Sequence, residues 1–300
     1  MTGVLRVVEP GLLTTVQDVG RPQAIASGVP PGGAMDRFAH SAANLLVGND
    51  RTAATLECTV IGPTLVAEAD CLVAVTGGEF EVPMWTAVSL GRGDELRVGR
   101  SKSGARAYVA VAGGLIADRW LGSQSTNLMA GRGGMQGRAL RAGDVLSAGE
   151  TSPYLRIGRN LPEGGRPRYR DHVLHVIPGP QASLLTSAFF GVRFTVGLDS
   201  NRMGYRLDGP RLETGGKEVL SFGLVAGAVQ LPSGGRPILL MADHQTAGGY
   251  PVIATVVSAS MPVAAQLAPG DELTFVETTI ADALDMRRAQ RLALDSLTNA

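Results

Sequence analysis

Apolar residues along the chain fall mostly in runs of four to nine, each closed by Gly, Pro or Asp. Runs of that length, rich in Val, Ile, Leu and Thr, are strand-like. They predict strands at Val4–Val8, Leu72–Thr76, Glu95–Val98, Ala107–Ala112, His172–Ile177, Arg193–Val196, Ile238–Met241, Val252–Val257 and Glu272–Val276. One turn phrase recurs before a strand: Gly91 to Leu96, Arg141 to Leu146, and Ala268 to Leu273 all carry Gly-Asp at the same place. The glycine supplies a positive φ and the aspartate closes on its own backbone. The recurrence suggests duplicated β-barrel modules.

Helical periodicity is scarce. Asp36 is a good N-cap for a helix over Arg37–Val47, with Phe38, Ala42, Leu45 and Leu46 as its apolar stripe and Gly48 as its stop. A second helix is expected over Pro180–Phe190. A third is expected over Ile280–Leu297, where Thr279 and Asp282 form a start resembling a capping box. The polar stretch Gly158–Asp171 reads as a linker between an N-terminal domain (1–160) and a C-terminal domain (171–300).

Composition narrows the class. With 40 Gly and 17 Pro in 300 residues, glycine runs well above its usual share of about 7%. That suits frequent chain reversals. The 27 basic residues balance the 27 acidic ones, so neither nucleic acid nor an anionic membrane is expected as a partner. Cys58 and Cys71 lack CxxC spacing and read as buried, reduced thiols of a cytoplasmic protein. Arg6 and Glu9 break any signal-like run, and Gly248, Gly249, Pro251 and Pro262 interrupt the uncharged stretch 244–266. Lys102 and Lys217 are the only lysines. Neither lies in a Met-Lys-Met turn nor in a Walker A spacing, so covalent biotin on this chain is not expected. The Gly-rich run Gly131–Gly137 has the wrong spacing for a dinucleotide loop, and no GxSxG or HExxH occurs. His172 and His175, three apart in an expected strand, point to opposite faces, so no metal is expected there.

Four polar clusters remain. The first runs from Thr14 to Arg21 and on through Gly28–Asp36. Its Gly-rich approach to a helix, with Arg21, suits an anion, although a plain helix cap is the simpler reading. The second, Gly113–Leu115 with Gly122–Asn127, either donates to an anion or satisfies a turn. The third, Ser200–Leu207, holds Asn201, Arg202 and Arg206, which suit a carboxylate or phosphate, or a buried pair with an acid such as Asp208. The fourth, Met241–Pro251, follows an apolar strand and presents Asp243, His244, Gln245 and Thr246 in succession before Gly248, Gly249 and Tyr250. Four hydrogen-bonding side chains at a strand end favour a site over a structural loop.

In this order the clusters resemble one family. It is variously named as the C-type component of 5-oxoprolinase, allophanate hydrolase subunit 2, KipI antagonist and biotin-dependent carboxyltransferase. The resemblance rests on Thr15–Asp18 with Gly20 and Arg21, Gly33–Asp36, Ala43–Asn49, Leu56-Glu57, Gly113-Gly114, Gly122-Ser123 with Ser125-Thr126, Asn201–Leu207, Gly227–Gln230, and Gln245-Thr246 with Gly248–Pro251. Ala259–Pro262 departs from the family pattern, where an acid is expected.

The resemblance implies a mainly-β protein of two cyclophilin-like barrels with few helices. It also implies a component of an ATP-dependent 5-oxoprolinase that opens 5-oxo-L-proline to L-glutamate. Two partners are implied: a KipI-like B-type component (the allophanate hydrolase subunit 1 type) and the A-type component of 5-oxoprolinase. ATP, with or without Mg, is then the co-substrate. Expected catalytic residues are Asp243, Gln245 and Thr246; expected substrate contacts are Arg21, Asn201, Arg202, Arg206, Gln230, Gly248, Gly249 and Tyr250. His244 is not assigned as a general base. The alternatives are carboxyl transfer to urea or another amide from a separate biotin carrier, and a non-catalytic regulator of a KipI-like kinase inhibitor.

Overall fold

A computed structural model describes residues 3–151, 157–213 and 219–299; Lys217 lies outside them. The chain divides into two compact units. One comprises Met1–Gly20, Gly32–Pro167 and Gln290–Ala300; the other comprises Arg21–Pro31 and Arg168–Ala289. The mainly-β class expected from the sequence holds.

The first unit contains two five-stranded sheets. One runs Glu95–Arg97, Thr64–Ala67, Gly3–Glu9, Val145–Ala148, Leu115–Ile116, and the other Leu13–Gln17, Thr55–Thr59, Ser103–Val111, Cys71–Glu79, Ala87–Leu90. Leu5, Val7, Leu65 and Leu146 from the former share one core with Val16, Leu56, Val75 and Val109 from the latter. Helix α1 (Arg37–Leu46) packs on Cys71–Glu79 and Ser103–Val111, and its start is capped as the sequence suggests, with Asp36 Oδ1 accepting from Ala39 N at 2.9 Å. Cys58 is buried within this core; Cys71 is half-buried, and both are free thiols.

The second unit is a closed barrel. Its strands run in the order Val173–Pro178, Val252–Val256, Ala228–Gln230, Ile238–Leu240, Gly204–Asp208, Arg193–Val196, Glu272–Glu277. A parallel pairing of Val173–Pro178 with Glu272–Glu277 closes the ring. Inside it Phe275 stacks on Phe189 at 4.8 Å and lies 6.0 Å from Phe194. Helix α2 (Met261–Gln266) comes between Val252–Val256 and Glu272–Glu277 in the chain, and α3 (Ile280–Asn299) follows the last strand, its residues from Gln290 on belonging to the first unit. α3 starts where expected: Thr279 Oγ1 accepts from Asp282 N at 3.1 Å and donates to Asp282 Oδ2 at 2.7 Å. The expected helix over Pro180–Phe190 is only a single 3-10 turn, Ala182–Leu184. Its residues are bonded elsewhere: Gln181 N donates to Val252 O at 3.1 Å and Thr186 N to Glu213 O at 3.0 Å. Tertiary pairing overrides local propensity there.

The three Gly-Asp phrases form one repeated turn. Asp94, Asp144 and Asp271 each accept through Oδ2 from the amide three residues back, at 2.8 Å in every case. The glycines take φ of +94°, +88° and +94°. Each turn then docks on a strand by the same reciprocal pair: Gly93 and Asp94 on Ala67, Gly143 and Asp144 on Val7, Gly270 and Asp271 on Val196. Sequence repetition thus marks repeated structure in both units.

His40, on α1, is fully buried and its Nδ1 lies 2.9 Å from Thr55 Oγ1. Burial pushes its imidazole down to about 4, against the weaker upward pull of Asp18 and Glu57. The unfolded chain takes up this proton near pH 6.5, so the buried neutral ring stabilises the fold fully above that pH. The contribution falls as pH drops from 6.5 towards 4, by about 3 kcal/mol in all. Urea unfolding followed across that window should show the decline, and His40→Leu should flatten it. An unchanged slope in the variant would contradict this account.

Candidate functional site

Barrel register builds the site. Gly204, Tyr205 and Arg206 lie opposite Leu240, Leu239 and Ile238. The segment before Gly204 and the segment after Leu240 therefore leave the sheet side by side. Two further bonds extend the ladder into the loops: Met241 N donates to Met203 O at 3.0 Å and Asp243 N to Arg202 O at 2.8 Å. The third and fourth clusters meet there.

The Arg202 guanidinium forks onto Asp243, with Nε to Oδ2 at 2.8 Å and Nη2 to Oδ1 at 3.3 Å. Both side chains are largely withdrawn from water, at 10% and 14% exposure. A two-point ion pair at that depth fixes both groups in orientation. The pairing foreseen for the arginines is realised here, but with Asp243. Asp208 instead pairs with Arg236 at 3.0 Å, out in solvent. His244 is buried and its Nδ1 lies 2.7 Å from Gln245 O. Burial pulls its imidazole below the usual range, leaving it neutral at physiological pH.

Gln245 Nε2 donates to Gln230 Oε1 at 3.0 Å, which joins the loop to the barrel strand Ala228–Gln230. Thr246 accepts at its backbone O from Leu224 N at 2.9 Å, and Gly248 pairs with Phe222 in a small ribbon, Phe222–Gly223 with Ala247–Gly248. Beside Gly249 lie Ser221 and Val219, and Tyr250 is half-exposed. Asn201 Oδ1 accepts from Met203 N at 2.8 Å, so this side chain shapes the turn before the strand. Arg206 is exposed and lines an open groove of about 690 Å³ together with Asp199, Asp208 and Arg236. Arg21 is completely buried, and its amide donates to Pro31 O at 2.7 Å.

In the first unit, clusters one and two join each other. Asp18 Oδ1 accepts from Ser123 Oγ and Ser125 Oγ, each at 2.6 Å, and from Gly20 N at 2.8 Å; Oδ2 accepts from Gln124 N at 2.6 Å. The hydroxyls of the second cluster do donate to an anion, and the anion is the chain's own aspartate. Glu57, part of the resemblance but given no role from the sequence, is a buried acid. Its Oε2 accepts from Met35 N and from Tyr108 Oη, each at 2.8 Å, and Tyr108 Oη accepts from Asp36 N at 2.7 Å. Burial, then the nearby Glu57 charge, pushes the Tyr108 phenol well above its usual range. The signal was present: an acid within a strand whose first four residues are buried, Thr55–Thr59, needs buried partners.

No group of three or more His, Cys, Asp or Glu able to hold a metal occurs among the described residues. The Gly131–Gly137 loop is tied by isolated bridges, Asn127 to Arg132, Asp118 to Gly134 and Met135 to Arg138, and opens no helix. It does not fit a phosphate cradle. No helix among the described residues is long and apolar enough to cross a membrane.

Comparison with known proteins gives a consistent picture. The family model for the carboxyltransferase domain, subdomain A and B, matches residues 27–277. The C-type component of 5-oxoprolinase from Escherichia coli is 38% identical, over 98% of this chain and 97% of its own length. Urea amidolyase of Saccharomyces cerevisiae is 31% identical over 98% of this chain, which spans only 18% of that protein. The crystal structure of the K. lactis urea amidolyase superposes with a TM-score of 0.89 at 29% identity, covering 98% of this chain and 20% of that one.

Asp18→Ala removes the acceptor for two hydroxyls and two amides at once and should destabilise the protein by about 3 kcal/mol. Asp36→Ala, which deletes one helix cap, should cost about 1 kcal/mol. Chemical denaturation of the two variants checks the order. A smaller loss for Asp18→Ala than for Asp36→Ala would show that Asp18 is not the clamp described.

Proposed function

The chain belongs to the carboxyltransferase domain family, subdomain A and B, and from that premise we propose that it is one component of an ATP-dependent 5-oxoprolinase. In this reading it opens 5-oxo-L-proline to L-glutamate together with a KipI-like B-type component and an A-type component. One observation carries the proposal: end-to-end similarity to a protein named as the C-type component of 5-oxoprolinase, over 98% of this chain and 97% of that one. The setting would be cytoplasmic.

The substrate is a planar lactam bearing a carboxylate. Amide resonance protects its ring from water; in this reading transfer of a phosphoryl group from ATP to the carbonyl oxygen removes that protection. Water adds to the same carbon, the C–N bond breaks with the ring nitrogen taking a proton, and the acyl phosphate so formed is hydrolysed to L-glutamate and phosphate. The Gly131–Gly137 loop, tied by isolated bridges, is no phosphate cradle; in this reading the nucleotide binds through another shape, at the contact with the partner proteins. What this chain contributes is binding and orientation. Arg202 or Arg206 is the cation for the carboxylate or a phosphoryl oxygen. Asp243, fixed by Arg202, accepts the lactam N–H, while Gln245 and Thr246 orient the ring plane. Gln230, Gly248 and Gly249 stand at its carbonyl, with Asn201 and Tyr250 as supporting contacts; Arg21, completely buried, is left out of the contact set.

Reconstitution with the KipI-like and A-type components tests this. Glutamate release should require ATP, 5-oxoproline and all three proteins. Arg202→Ala and Asp243→Asn should each lower kcat/KM by about a hundredfold. Wild-type rates in both variants would end the assignment. A second reading, carboxyl transfer to an amide such as urea from a biotin carrier on another chain, draws on the family's name and the urea amidolyase relatives. Urea-dependent turnover that needs a biotinylated carrier, with 5-oxoproline inert, would favour it.

A further inference from the structure

The short strand Ala228–Gln230 places Ala228 and Gln230 on one face of the barrel wall by the two-residue period of a strand. That face is apolar: Ala228 packs with Leu224, Leu240 and Val252, and Phe222 and Ile238 border them. Gln230 is out of place there. It is 1% exposed, and its Nε2 has no hydrogen-bond partner among the described residues. Gln245 holds the other half of the amide, donating to Gln230 Oε1 at 3.0 Å. Two N–H bonds of Gln230 therefore stand unused in an apolar setting, where a polar group ordinarily finds an acceptor.

The unused donor has a direction. A methyl group added at Gly248 would stand 3.2 Å from Gln230 Nε2, 3.7 Å from Gln245 Nε2 and 3.0 Å from Leu224 Cδ1. Both amide nitrogens thus face the same small space over the Gly248 backbone. The cover over that space is slight. It is the ribbon of Phe222–Gly223 with Ala247–Gly248, two residues on each side, and a ribbon that short has little stability of its own.

We propose that Gln230 and Gln245 form a paired-amide cradle for the carbonyl oxygen of a planar amide substrate, roofed by the ribbon that carries Gly248. The inference rests on the reading that this chain acts on an amide, and it deepens that reading by naming the subsite and its cover. The ribbon lifts to admit the ligand and closes on it. Gly248 carries no side chain because a Cβ would intrude on the place the carbonyl oxygen takes. Gln230 is then a binding residue for the reacting carbonyl, and Leu224 with Phe222 seals the subsite from water.

The test uses the reconstituted complex and two probes, 5-oxoproline and urea. Gln230→Met keeps the length of the side chain and removes both donors; Gly248→Ala fills the space. Each should lower kcat/KM for 5-oxoproline by at least tenfold. Gln230→Met should leave the thermal midpoint unchanged or raised, a result that a purely structural glutamine would not give. In parallel, the Gln230 side-chain amide signals, identified by their loss in Gln230→Met, should shift when 5-oxoproline is added to the isolated wild-type chain. Unaltered kinetics in both variants, or amide signals that respond to neither probe, as they would with an enclosed water only, would overturn the cradle. If Arg202→Ala abolishes turnover while these two variants keep wild-type constants, the cradle falls and the oxoprolinase reading stands. If the wild-type complex turns over urea and not 5-oxoproline, that reading falls, and the response of the Gln230 amide to urea still decides the cradle.

Discussion

The pairing register between Gly204–Asp208 and Ile238–Leu240 governs the rest of the site. It is continued beyond both strands by the bonds from Met241 to Met203 and from Asp243 to Arg202, and the Arg202–Asp243 fork completes it. A slip of one residue would turn every side chain of the moved strand to the opposite face. Tyr205 and Leu207 would leave the barrel interior, and Arg202 would lose Asp243. Packing and site geometry are therefore set by the same few backbone bonds. The charged pair cannot move independently of the barrel core that Phe189, Phe194 and Phe275 fill.

Buried polar groups serve contrasting ends. In the first unit the buried carboxylates of Asp18 and Glu57 are saturated. Asp18 takes two hydroxyls and two amides, and Glu57 takes an amide and a phenol, so each binds distant segments together. A saturated buried carboxylate holds structure and has little left to offer a ligand. Elsewhere satisfaction is incomplete in both units: Gln17 Oε1 and His40 Nε2 in the first and Gln230 Nε2 in the barrel unit lack a partner among the described residues. Gln230 keeps a free donor, and Arg206 stands exposed at an open groove. A free donor beneath so thin a cover is what marks Gln230 as a binding group.

Much of this was legible in the residues. Apolar runs of strand length fell on strands, Arg193–Val196 to the residue, because each run was punctuated by Gly or Asp. Asp36 and Thr279 capped the helices they precede, since a cap is a local matter of one side chain and a nearby amide. The repeated Gly-Asp turn was readable for the same reason. The segment 180–190 was not, because its backbone is taken by Val252 and Glu213, partners that no local pattern announces. Cluster membership was readable as well, since polar residues crowded at a strand end are conspicuous. Their pairing was not. That Arg202 would choose Asp243 over Asp208, and that Gln230 would meet Gln245, depends on register and loop path across stretches of fifteen to forty residues.

A crystal structure of this chain with 5-oxoproline bound measures the central claim most directly. The account predicts the ligand at the barrel loops, its ring carbonyl within hydrogen-bond distance of Gln230 Nε2 beneath the Gly248 ribbon and its N–H towards Asp243. A ligand ordered in the first unit, against Asp18 and Ser123, with the Gln230–Gln245 pair untouched, would contradict it.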